Sequence, residues 1–151
     1  MFQDLPRITP FLWFDSNAEQ AVEFYLGIFK NSRRLGEFRN PDGSILTIGF
    51  ELEGQKFTAL NGGPAHPFTH AVSFVVRCDS QAEVDEYWSK LSAGGNEVQC
   101  GWLTDKFGLS WQIVPARITE WIKHPKAMEA MMQMKKLDIA ELERASHGIE
   151  A

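Results

Sequence analysis

Cysteine is scarce in this chain, with Cys78 and Cys100 alone among 151 residues. Two cannot build a disulfide scaffold, and they lack the C-x-x-C spacing of a redox or zinc pair, so both read as reduced small side chains. Long apolar runs are missing too. No stretch approaches the roughly 18 consecutive apolar residues of a membrane helix. Met1-Phe2-Gln3-Asp4-Leu5-Pro6 offers neither the basic nor the apolar region of a signal peptide, which gives a cytoplasmic expectation with no membrane partner. Basic charge is in deficit, 15 Lys plus Arg against 20 Asp plus Glu for a net −5. No phosphate-neutralising surface follows, and nucleic acid is not an expected partner. No G-x-S-x-G elbow marks a nucleophilic serine.

What remains, 44% hydrophobic, 12% aromatic and 23% charged residues, is the composition of an ordinary globular domain. A weak internal repeat organises it. Asp15-Ser16-Asn17-Ala18-Glu19 recurs as Asp79-Ser80-Gln81-Ala82-Glu83, and each copy reads as a capping box that starts a helix. Behind the caps, Val22, Tyr25, Leu26 and Phe29 match Val84, Tyr87, Trp88 and Leu91, an apolar stripe at helical spacing in both halves.

Strands surround each helix. Ile8 to Phe14 and Ala71 to Cys78 precede the caps, rich in β-branched and aromatic residues. Arg33 to Arg39 reads as a charged edge strand, and Leu46, Ile48, Phe50 and Leu52 alternate with polar or small residues. Lys56 to Asn61 follows the turn at Gly54. The second half offers Glu97 to Cys100, Trp102 to Thr104 and Leu109 to Val114. Each half is therefore strand, helix, three strands. The fold class is α+β: two βαβββ modules forming a curled mixed sheet, with a C-terminal helical extension. Within a single domain the boundaries are module one 7–62, linker 62–69, module two 70–115 and C-terminal helices 117–147. Met128, Met131, Met132 and Met134 fall on one tail helix, the first three sharing a face that packs on the sheet or on a second subunit.

This duplicated unit resembles the vicinal oxygen chelate superfamily, which includes glyoxalase I, extradiol dioxygenases and bleomycin-resistance proteins. Ile8-Thr9-Pro10-Phe11-Leu12-Trp13-Phe14-Asp15, Ala21-Val22-Glu23-Phe24-Tyr25, Cys100-Gly101-Trp102, Asp105 through Pro115 and Lys136-Leu137-Asp138-Ile139 look like its PhnB-like branch, whose sequences are often labelled demethylubiquinone 3-methyltransferase. The label meets a physical objection: no Gly-rich turn follows either first strand to hold a methyl donor.

The resemblance implies a cup of two curled sheets and, in metal-dependent members, His and Glu ligands from the first and last strands of each half. Aligning the halves at Gly54 and Gly108 puts Thr58 opposite Gln112 where active relatives carry a carboxylate. A hydroxyl and an amide compensate a dication poorly, so no metal ligands are assigned; no cofactor is expected, with a divalent metal as the alternative. His70 opens the second-half strand, although counting back from Asp79 reaches Val72 or Ser73 instead. His66 lies four residues earlier, but Pro64 and Pro67 exclude the helix a metal pair needs. His124 and His147 read as solvated.

Thr58, His70, Trp102 and Gln112 are thus the candidate substrate-binding residues. Thr58 and Gln112 orient ligand oxygens, His70 exchanges a proton or hydrogen bond, and Trp102 is a stacking wall. The competing expectation is that Thr58 and Gln112 satisfy backbone groups while His70 is exposed. Three functions stay open: a pocket for a small aromatic or oxygenated metabolite, a metal-dependent lyase or dioxygenase, and a homodimeric sequestering protein without turnover. No catalytic residue is named.

Overall fold

A computed structural model describes residues 2–148. The chain forms two compact units, residues 1–68 and 69–151.

In the first unit, β1 (Phe11–Phe14), α1 (Ala18–Leu26), β2 (Ser32–Arg39), β3 (Ile45–Leu52) and β4 (Gln55–Asn61) build a mixed sheet in the order β1-β4-β3-β2, with β2 at the edge. β1 runs parallel to β4, and the other pairs are antiparallel. Alternation sorts the side chains. Leu12, Phe14, Ile48, Phe50, Leu52, Phe57 and Ala59 are buried beside Ala18, Ala21, Val22 and Tyr25 of α1. Tyr25 stacks on Phe50 and Phe50 on Phe57, with centroids 6.1 and 5.1 Å apart. Each such side chain contributes about 1.5–3 kcal/mol by leaving water.

Two expectations fail here. β1 starts at Phe11 rather than Ile8, because Pro10 has no N–H for the ladder; Ile8 is left exposed. α1 also lacks its capping box. Asn17 stands at the cap without a side-chain bond, Glu19 is drawn to Arg34 at 2.9 Å, and the Ala18 amide is received by Asn61 Oδ1 from β4 at 2.9 Å.

The second unit repeats the plan. β5 (Ser73–Cys78), α2 (Gln81–Ser92), β6 (Asn96–Glu97), β7 (Trp102–Thr104) and β8 (Ser110–Pro115) pair in the order β5-β8-β7-β6. Here the box forms: Ser80 Oγ accepts from the Glu83 amide at 3.2 Å, and Glu83 accepts from the Asp79 amide at 2.7 Å. Val84, Trp88 and Leu91 of α2 are buried with Val76, Leu103, Trp111 and Ile113. The buried Asp105 carboxylate holds the turn into β8, accepting from the Phe107 and Leu109 amides and the Trp111 indole at 2.9–3.1 Å.

The tail adds α3 (Ile118–Trp121), α4 (Pro125–Met132) and α5 (Ile139–Ser146) around a core of Trp121, Ala127, Leu137, Leu142 and Ala145. Asp138 caps α5 by accepting from the Glu141 amide. Gln81 of α2 binds the tail twice, donating to the Leu137 carbonyl and accepting from the Ile139 amide. The shared methionine face splits: Met131 packs on the tail core, Met128 and Met132 are exposed, and Met134 lies beyond the end of α4.

Candidate functional site

The register confirms the internal equivalence of the two central strands. In the first unit Thr58 pairs with Phe11 on one side and Gly49 on the other; in the second, Gln112 pairs with Val75 and Trp102. Thr58 and Gln112 thus occupy the same place in their sheets, on the face turned away from the helix.

Around Thr58 the first sheet is hollow. The N-terminal segment, a 3-10 turn at Phe2–Asp4 and an irregular, bent run to Pro10, covers this face, with the Thr58 amide donating to the Pro10 carbonyl at 3.0 Å. Beneath it lie two cavities that share Leu5 and Thr58. The larger, about 290 Å³, is completed by Asp4, Leu35, Gly36, Glu37, Gly49 and Lys56. The smaller, about 230 Å³, is bounded by Phe2, Pro6, Arg7, Thr9 and Phe11. Small residues make the room, since a Cβ on Gly36 would meet nothing within 4 Å. Thr58 is fully buried, and its hydroxyl has no hydrogen-bond partner. A buried hydroxyl left unpaired costs about 1–3 kcal/mol, so Thr58, which lines both cavities, is not a backbone clip.

In the second unit Gln112 is half-buried and donates to Ser73 Oγ at 2.9 Å. Trp102 is its half-buried neighbour in the same row. His70 is exposed but not idle, its Nδ1 lying 3.3 Å from Ser110 Oγ. Ser73 and Ser110 pair directly, so the two hydrogen bonds join His70, Ser110, Ser73 and Gln112 into one polar patch on one sheet face. His70 does not open β5, however. β8 begins at Ser110, the partner of Ser73, and no ladder remains for residues 70–72.

The other candidates have structural duties. His66 sits edge-on to Trp13 with centroids 4.7 Å apart, and His124 caps α4 by accepting from the Lys126 amide. Cys78 is buried, and desolvation pushes its thiol up to about 12, which keeps it protonated and unreactive.

The resemblance implies metal ligands on the first and last strands of each half. On the last strands the donors are the Thr58 hydroxyl in one unit and the Gln112 amide in the other, both neutral. Among the described residues no three His, Cys, Asp or Glu side chains gather as a ligand set. Such donors do not fit a tightly held transition metal, because nothing offsets the dication's charge. Sequence reasoning missed Leu5, Gly36, Gly49 and Lys56, the residues around Thr58. Lys56 alone carried a signal, standing two positions from Thr58 on an alternating strand and so on the same face.

The family model for 3-demethylubiquinone-9 3-methyltransferase matches residues 6–114, so α3 to α5 lie beyond the match. The PhnB protein of Bacillus cereus is 32% identical, with a TM-score of 0.66 over 74% of this chain and 100% of that one. A Pseudomonas aeruginosa protein at 20% identity superposes with a TM-score of 0.61, covering 73% and 97% of the two chains. The fosfomycin resistance protein FosX of Mesorhizobium loti, 13% identical, reaches 0.58 over 78% and 97%; these last two show a shared fold alone. No curated protein sequence matches. The duplicated βαβββ architecture and the match over 109 residues (6–114) place the chain in the 3-demethylubiquinone-9 3-methyltransferase family, the PhnB-like branch of the vicinal oxygen chelate superfamily.

Proposed function

We propose that this protein binds a small, partly apolar or aromatic, oxygen-bearing metabolite on the first sheet, with the Thr58 hydroxyl as its polar anchor. One observation carries the reading: Thr58 is buried, its hydroxyl is unpaired, and it borders cavities of about 290 and 230 Å³. The larger hollow is mainly apolar with a few polar groups, the usual form of a small-molecule site. In the second unit Gln112, His70 and Trp102 supply the corresponding polar and aromatic face. Binding proceeds without a tightly held metal, and the active form is a homodimer.

Methyl transfer is not part of this reading, despite the family's description. The two turns from a parallel strand into a helix read Asp15-Ser16-Asn17 and Asp79-Ser80, with no glycine to admit a methyl donor. A metal-dependent lyase or dioxygenase is disfavoured by the neutral donors. Sequestration without turnover is the second reading.

The test is a metabolite screen by amide NMR on the whole chain. Gly36→Val suits a strand, its Cβ meets nothing within 4 Å, and its side chain narrows the larger cavity that Gly36 lines. Ligands that shift Gly49 and Thr58 in the wild type and fail to do so in Gly36→Val support the reading. Ligands unaffected by both Gly36→Val and Thr58→Val overturn it.

A further inference from the structure

The charges around the larger cavity narrow the ligand's chemistry. Of the charged side chains lining it, Glu37 is bound by two arginines, Arg34 at 3.5 Å and Arg39 at 2.8 Å. Glu51, the register partner of Lys56, is likewise held by Arg33 at 3.3 Å. Asp4 is exposed, so water screens its carboxylate. Lys56 is different. The residue is half-buried and lines the cavity, and its ammonium, in a solvent-exposed hydrogen bond, donates to a neutral acceptor, the Asp4 carbonyl, at 3.3 Å. Among the described residues no carboxylate lies within ion-pair distance of it.

An ammonium carries three donors, and a cation beside an apolar hollow attracts an anionic oxygen more strongly than a neutral one. Lys56 and Thr58 are two residues apart on one strand face, about 7 Å along the strand. Lys56 reaches across that interval on its flexible four-carbon stem. Leu5 and Leu35 wall the space between with hydrocarbon.

Resting on the binding reading above, we propose that the ligand is a small oxygenated acid, whose anionic group pairs with the Lys56 ammonium while a second oxygen meets the Thr58 hydroxyl. Thr58 can donate to a carbonyl or accept from a hydroxyl, so oxo and hydroxy acids both satisfy it.

Three probes share one carbon chain and separate these contributions: 5-hydroxypentanoate, pentanoate and 1,5-pentanediol. Each is titrated into labelled full-length protein, followed at the Gly49, Lys56 and Thr58 amides. The hydroxy acid is expected to bind about tenfold more tightly than the diol, the order of one charge-assisted hydrogen bond. Lys56→Met keeps the apolar stem and erases that advantage, while Lys56→Arg retains most of it. Thr58→Val reduces the hydroxy acid to the affinity of pentanoate. Equal binding of acid and diol, or an acid advantage that survives Lys56→Met, overturns the assignment of an acid but leaves the cavity as a binding site. If none of the three probes shifts these amides, the assignment is overturned; if no ligand of the wider screen does so either, the binding reading falls with it.

Discussion

The Trp13 indole packs against Gly62 so closely that a Cβ built on the glycine would clash with the ring atoms Cε2, Cζ2 and Cδ2. The indole N–H is anchored beside it, donating to the Gly63 carbonyl at 2.9 Å. Strand β1 and the segment leaving β4 are joined by this contact.

Gly62→Ala should therefore destabilise the first unit by about 1–3 kcal/mol, as overpacking does. Trp13→Leu should cost less in the Gly62→Ala background than in the wild type, because the clash is already relieved. Denaturant unfolding of the four proteins measures both. An unchanged midpoint for Gly62→Ala contradicts the contact.

The two cysteines should differ sharply towards a thiol reagent. Cys100, half-buried, reacts in the folded protein near pH 8, whereas Cys78 reacts only on unfolding. Burial raises the Cys78 pKa from 9.0 to about 12, so its thiol stays protonated in the fold where the unfolded chain would lose the proton. The contribution to stability is whole below pH 9 and declines as pH rises from 9 towards 12. Equal labelling rates of the two thiols at pH 8 would sink the prediction.

Thr58 and Gln112 at the central positions imply that no transition metal is held stoichiometrically. Protein purified without chelators should contain well under one zinc, iron, nickel or manganese per chain. About one metal per chain, lost in His70→Ala, is the contrary result.

Exposed apolar side chains, Phe11, Val72 and Val75 on the strands and their approaches and Met128 and Met132 on α4, lead to the expectation of a twofold homodimer. Sedimentation at micromolar concentration should give about twice the 17.1 kDa chain mass. A mass near that of one chain, insensitive to salt, refutes it.

Much of the fold was legible because it rests on local periodicity. The repeat around Ser16 and Ser80 located both module helices, and alternation from Leu46 to Leu52 marked β3 with its buried Ile48, Phe50 and Leu52. Turn glycines at 54 and 108 were enough to match Thr58 with Gln112, which the strand registers reproduce. These are short-range signals, set by the pitch of a helix, the pleat of a strand and the geometry of a tight turn.

The surroundings of Thr58 depended on chain segments distant in sequence, and only the tertiary structure decided them. Asn61 caps a helix 43 residues earlier, an assignment its side chain makes only once β4 lies beside α1. The run from Phe2 to Arg7 carries no strong pattern, yet it lines the hollows around the unpaired Thr58. His70 was displaced from a strand because β8, 40 residues on, begins opposite Ser73. By itself the sequence determined which residues alternate and where helices start; which hydroxyl is buried without a partner depends on what the rest of the chain lays over it, a long-range steric outcome that no local spacing encodes.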